Sequence, residues 1–171
     1  MSSDKPAGAF AALSGEEFRR ARGRFAARVT IVSVMDGRGT PHGLTVTSFS
    51  SVSLDPPPIL IRLGRGAASL RFFLAAKYCG INILGENQRA VSEHFARQGH
   101  DRFDGLEWLP GETGVPLPAG APAQMECAAV RRVSAGDHDI FIGAVVRARV
   151  HKGEPLIHFA SRYRKLPAGK R

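Results

Sequence analysis

Cysteine is scarce: Cys79 and Cys127 are the only two in 171 residues. No Cys-x-x-Cys and no His-Glu-x-x-His occurs, so neither a disulfide framework nor a zinc centre has support, and no metal site is expected. Two separated cysteines inside apolar segments read as buried, reduced thiols of a cytosolic protein. Long hydrophobic runs are also missing, and none approaches the ~20 residues of a membrane-spanning helix. Residues 1–13 lack a basic start followed by an apolar stretch, so a secretory leader is not expected and the predicted location is cytoplasmic. Acidic residues are few, 15 Asp and Glu against 24 Lys and Arg, for a net charge of +9. No Ser/His/Asp triad or paired-carboxylate constellation stands out.

What remains is ordinary globular material, 43% hydrophobic and 23% charged. It fits one domain over 14–166, with a flexible N-terminus over 1–13 and a basic tail over 167–171. The positive balance suits anionic partners: nucleic acid, an anionic membrane surface or phosphorylated small molecules. Two arginine-rich segments (Arg19, Arg20, Arg22, Arg24 and Arg28; then Arg162 and Arg164 with Lys165) read as a solvated helix face and a loose tail.

Ser14 and Glu17 form a capping box, and Leu13 with Phe18 has staple spacing, so a helix is predicted over 15–27. Its Phe18, Ala21 and Phe25 stripe should pack on something larger. A β-branched strand over 29–34 ends at the turn residues of 36–39. A long hydroxyl-rich strand is expected over 42–54, broken by the prolines of 56–58. Strands follow at 59–63, 79–84, 125–133, 140–150 and 156–159, with helices at 67–76 and 86–97. The segment 99–121 reads as a long loop in which Phe103 and Trp108 are packing anchors. Strands joined by short turns, without regular helical alternation, predict a mainly β chain with helical decoration, an antiparallel β-barrel.

Strand 59–63, Gly64-Arg65-Gly66-Ala67-Ala68-Ser69 and the next helix imitate a dinucleotide-binding turn. Ser69 replaces its third glycine and no second unit follows, so the imitation is set aside. A phosphate at the helix start, assisted by Arg65 and Ser69, remains an expectation. Around 45–53 the hydroxyls of Thr45, Thr47, Ser48, Ser50, Ser51 and Ser53 face either a polar ligand or one another across a wet sheet.

The stretches HGLTVTSFSSVSLDPP, GINIL, HFARQGHDRFDG, GVPLPAGAPAQMEC and GDHDIFIGAVV, in that order over residues 18–166, resemble the short-chain flavin reductases. The resemblance implies an FMN-binding split barrel, a homodimer, and NAD(P)H:flavin oxidoreductase activity on FMN or FAD. It also implies NADH or NADPH as co-substrate and a flavin-dependent monooxygenase supplied with reduced flavin. Carried onto this chain, it places Val46, Thr47 and Ser48 beside the flavin ring and Asn82 on a neighbouring strand. Ser53, Arg65 and Ser69 become ribityl and phosphate contacts, and His138 of the Gly-Asp-His turn becomes the nicotinamide-side residue. Tyr163 borders the same cleft. Arg102 either pairs with Asp101 or reaches a flavin phosphate. Ala27-Arg28 departs from the family's Thr-Gly at that point. Two other readings stand beside it: a flavoprotein that retains FMN and acts directly on a small molecule, and a basic nucleic-acid-binding module. The latter lacks the interleaved aromatics such surfaces use.

Overall fold

The computed structural model describes residues 13–97 and 101–166; the expected flexible N-terminus (save Leu13) and the tail over 167–171 lie outside them. Twelve strands and three helices follow in chain order: α1 (Gly15–Arg22), β1 (Ala27–Arg28), β2 (Thr30–Met35), β3 (Pro41–Val46), β4 (Ser50–Ser51), β5 (Pro58–Gly64), α2 (Leu70–Ala75), β6 (Tyr78–Ile83), α3 (Arg89–Ala96), β7 (Trp108–Pro110), β8 (Pro116–Pro118), β9 (Ala123–Ala135), β10 (His138–Val150), β11 (Ile157–Phe159) and β12 (Arg162–Arg164). The main sheet has seven strands in the order β3-β2-β6-β9-β10-β5-β4. Every pairing among the described strands is antiparallel. In particular, β5 pairs with β10 and β4 while β6 pairs with β2 and β9, so the dinucleotide-like segment builds no βαβ unit.

The sheet separates two apolar clusters. Val32, Val34, Val46, Ile59, Ile61, Leu63 and Ile81 pack under Leu70 and Phe73 of α2. On the other side, Val29, Ile31 and Leu84 pack with Phe95 of α3, Phe103 and Leu156, with Trp108 against them. Phe103 and Trp108 are therefore the anchors their sequence positions suggested. Cys79 and Cys127 are free, and they stand directly opposite each other in the β6–β9 ladder.

Several boundaries differ from expectation. The capping box of α1 is present, with Ser14 Oγ accepting from the Glu17 amide, but the helix ends at Arg22 because Gly23 caps it. Residues 27–28 are drawn instead into pairing with β11. No residue of α1 is buried, and Phe18 and Phe25 are 57% and 76% exposed, so the stripe has no partner among the described residues. The predicted 42–54 strand is two strands. Between them Ser48 Oγ donates to the Arg62 carbonyl at 3.0 Å and accepts from the Arg62 amide at 2.9 Å. One side chain thus replaces a peptide unit in the ladder and joins β3 to β5 across the split.

The expected loop over 99–121 contains the β7–β8 hairpin, and Arg162 and Arg164, read from the sequence as part of a loose charged end, belong to β12. The β7–β8 hairpin is pinned from beneath by Glu126 of β9. This carboxylate is 2% exposed and accepts from the amides of Glu112 (3.0 Å) and Thr113 (2.7 Å) and from the Thr113 hydroxyl (2.6 Å). Burial pushes its pKa up, but those donors outweigh it and hold the group below its ordinary value. A depressed folded pKa stabilises the fold above the ordinary glutamate value of 4.5, and that contribution is lost as pH falls through the lower folded value. Glu126→Gln should therefore melt well below the parent at neutral pH, with the gap closing under acid. Melting curves across pH check this; a gap that stays constant would refute it.

Candidate active site

Arg102 enters from the segment after α3 and lies half-buried against β3. Its Nη1 donates to the Gly43 carbonyl at 2.6 Å and to Ser69 Oγ at 3.0 Å. Asp101 does not pair with it; the Asp101 carboxylate accepts from the Phe103 amide at 2.9 Å. Among the described residues no carboxylate forms an ion pair with Arg102. Burial lowers its pKa, yet a guanidinium stays charged in a protein. A half-buried cation with only neutral partners is poised for an anion.

That cation opens onto a cavity of about 440 Å³ lined by residues 40–43, Ala68, Ser69, Arg71, Phe72, Asp101 and Arg102. The sequence reading passed over His42, Arg71 and Phe72. His42 lies flat on Phe72, with ring centroids 3.4 Å apart and planes 7° off parallel. Its Nε2 meets Asp36 Oδ2 at 3.0 Å, and this contact, with the Thr40 amide, holds Asp36 down to about 2. No short-range pattern marks this platform, because His42 of β3 and Phe72 of α2 are far apart in the sequence and meet only in the fold.

Ser69 precedes α2 but makes no capping bond; its hydroxyl is 3.4 Å from the Gly43 carbonyl. Because α2 has only six residues, the positive charge at this cavity is that of Arg102 and Arg71 rather than of a helix end. Val46 points into the core, Thr47 is exposed, and the Ser48 hydroxyl is committed to Arg62. Next to them, Thr30 Oγ1 is buried without a hydrogen-bond partner, and Thr30 stands opposite Val46 in the β2–β3 ladder.

Other expected residues lie elsewhere. Ser53 is exposed beyond β4, in a local turn with Asp55, at the end of β5 opposite Arg65. Asn82 is fully buried; its amide donates to Ile31 and Ser33 and accepts from Gln124, so it serves the core. Tyr163 packs on the α3 side, its hydroxyl 2.9 Å from Ser92 Oγ. Arg28 is exposed on β1.

A second charged station sits at the β9–β10 turn. His138 is exposed, its Nδ1 is 2.6 Å from Asp137, and it pairs with Gly64 at the end of β5. The Arg65 amide donates to the Asp137 carbonyl at 2.9 Å, clipping the 64–69 loop to this turn. The two stations are thus the two ends of one short loop, Arg65 at one and Ser69 at the other.

An antiparallel seven-stranded sheet thus carries two positively charged stations on one loop, beside a cavity with a half-buried guanidinium. The profile described as "Flavin reductase like domain" matches residues 22–167. The NADH-dependent FAD reductase of Streptomyces globisporus is 39% identical over 156 residues, 88% of this chain and 85% of that protein. The reductase component of the flavin-dependent trigonelline monooxygenase of Acinetobacter baylyi is 43% identical over 129 residues. This chain spans about four-tenths of the length of that protein and of a probable flavin reductase from Rhizobium meliloti. Among solved structures, the Streptomyces globisporus NADH:FAD oxidoreductase SgcE6, in complex with NAD and FAD fragments, superposes with a TM-score of 0.85 at 37% identity, covering 90% of this chain and 93% of that one. The chain belongs to the flavin reductase-like family, as a split-barrel oxidoreductase of the flavin reductase class.

Proposed function

We propose that this chain moves a hydride from NADH to FMN or FAD and supplies the reduced flavin to a partner monooxygenase. The observation that carries this reading is Arg102, a half-buried cation with neutral partners at the mouth of a cavity. A phosphate-bearing flavin fits that donor set. The relatives' names, NADH-dependent FAD reductase and monooxygenase reductase component, support the cofactors and the partner.

The chemistry a bound flavin supplies is acceptance of a hydride from the nicotinamide ring. Arg102 and Ser69 hold the flavin phosphate, with Arg71 adding charge at the rim. By the family resemblance, the backbone at Val46 and Thr47 would border the ring. His138 orients the nucleotide from the turn, and no side chain has to act as a general base. Binding and orientation are the work left to the protein.

The reading includes a homodimer: exposed Phe18, Phe25, Val146 and Val150 are apolar surface that a second copy would cover. It places the chain in the cytoplasm, where Cys79 and Cys127 stay reduced.

Oxidation of NADH and NADPH, measured with riboflavin, FMN and FAD side by side, tests the activity. Turnover with NADH and a phosphorylated flavin is expected, and no turnover under any pairing would overturn the reading. His138→Ala should raise the KM for NADH about tenfold, the scale of one lost hydrogen bond to a charged group, and leave flavin affinity unchanged. An unaltered KM would remove His138 from the site.

A further inference from the structure

We propose that Asp139 is a positioning residue that holds Arg65 and Arg132 as a fork for a phosphate group of the flavin or the nicotinamide nucleotide. The proposal rests on the reading that such cofactors bind here, and it assigns roles to Asp139 and Arg132 that no resemblance supplied.

The Asp139 side chain is 1% exposed. A carboxylate withdrawn from water that far is costly unless its oxygens are paired. Its oxygens are shared among three donors: Oδ1 accepts from Ser134 Oγ at 3.0 Å and lies 3.5 Å from Arg65 Nη2, and Oδ2 is 3.2 Å from Arg132 Nη2. One guanidinium would neutralise the buried charge; the second is surplus. Asp139 is the one buried carboxylate between the two guanidiniums, and the nearby Asp137 is exposed and paired with His138.

The arrangement follows from the ladder. Asp139 stands opposite Ser134 on β9 and opposite Leu63 on β5. Arg132 lies two residues from Ser134 and Arg65 two residues past Leu63, and alternation along a strand puts positions two apart on one face. All four side chains therefore meet on one face at the end of the sheet, while His138, one residue earlier, projects from the other. Arg65 and Arg132 remain 48% and 47% exposed, so their other N–H groups face solvent. Each guanidinium has five donors in a planar fork that matches phosphate oxygens. Arg65, read from the sequence as a flavin contact, is fixed by Asp137 and Asp139 rather than by the Ser69 station.

Equilibrium binding, without turnover, decides it. FMN against riboflavin reads the flavin phosphate and NADPH against NADH reads the 2′-phosphate, while the affinity for NADH itself reads the pyrophosphate that both nucleotides carry. Arg132→Met, at an exposed site, should fold normally and lower one of the two ratios, or the NADH affinity, about tenfold. Arg132→Lys should restore part of the loss, and Asp139→Asn should lower the same quantity with both arginines present. A folded Arg132→Met protein with both ratios and the NADH affinity unchanged overturns the proposal even if Asp139→Asn fails to fold. Should the parent bind none of the four ligands, inorganic pyrophosphate provides the check. A pyrophosphate-induced rise in melting temperature that Arg132→Met abolishes keeps the fork and removes the reductase reading; without that rise, both fall.

Discussion

Arg102→Ala should weaken FMN binding by about ten- to a hundredfold, the scale of one charge-assisted hydrogen bond of ~1.5–3 kcal/mol. The guanidinium's two protein partners are a carbonyl and a hydroxyl, so its removal orphans no buried carboxylate. Ser69 keeps its contact with the Gly43 carbonyl, and the fold should survive with little change in melting temperature. Riboflavin, which has no phosphate, should bind the variant and the parent alike. Arg102→Lys should recover only part of the loss, because an ammonium cannot reproduce the planar fork. Fluorescence titration with the two flavins reads the difference directly; equal FMN affinity in parent and variant would take Arg102 out of the phosphate site.

The second large effect is structural, and it reaches the site through the backbone. At Gly43 an added Cβ would lie 2.8 Å from Phe95 Cε1, 2.9 Å from the Val32 carbonyl and 3.3 Å from Phe103 Cε2. Neither ring can give way cheaply. Phe95 is fully buried and edge-to-face with Phe103 at 5.0 Å, and the carbonyl belongs to the β2–β3 ladder. Overpacking of this kind costs about 1–3 kcal/mol, so Gly43→Ala should lower the melting temperature by roughly 2–12 °C for a chain of this size. The strand must shift to admit the methyl, and the carbonyl under Arg102 shifts with it. FMN affinity should therefore fall together with stability. An unchanged melting temperature would show that the aromatic pair is looser than its contacts imply.

The legible parts of this molecule are those written in neighbouring residues. The capping box at Ser14 and Glu17, the turns at 36–39 and 136–138, and the apolar strands of the seven-stranded sheet all rest on short-range chemistry. The short strands β1, β7, β8 and β12 do not. Each exists because a partner strand borrows two or three residues, and Trp108-Leu109-Pro110 carries no strand pattern of its own. The same division runs through the site. Arg102 and Ser69 are 33 residues apart, and motif order suggested both without saying that they touch. Asn82 sits in a family motif, yet its surroundings are set by Gln124 and Ser33, which only the β6–β9 and β2–β6 pairings bring near. Arg132 had no local mark at all. Its meaning comes from a carboxylate on the next strand.

The hydroxyl of Ser48 substitutes for a peptide group on a three-atom arm, and that narrows which residues position 48 can hold. A replacement must both give and receive a proton bridge at the same short reach, which threonine can do and alanine, valine or asparagine cannot. Variation in descendants of this chain should therefore be wider at Thr47, whose side chain is exposed, than one residue later, where the ladder itself depends on the hydroxyl.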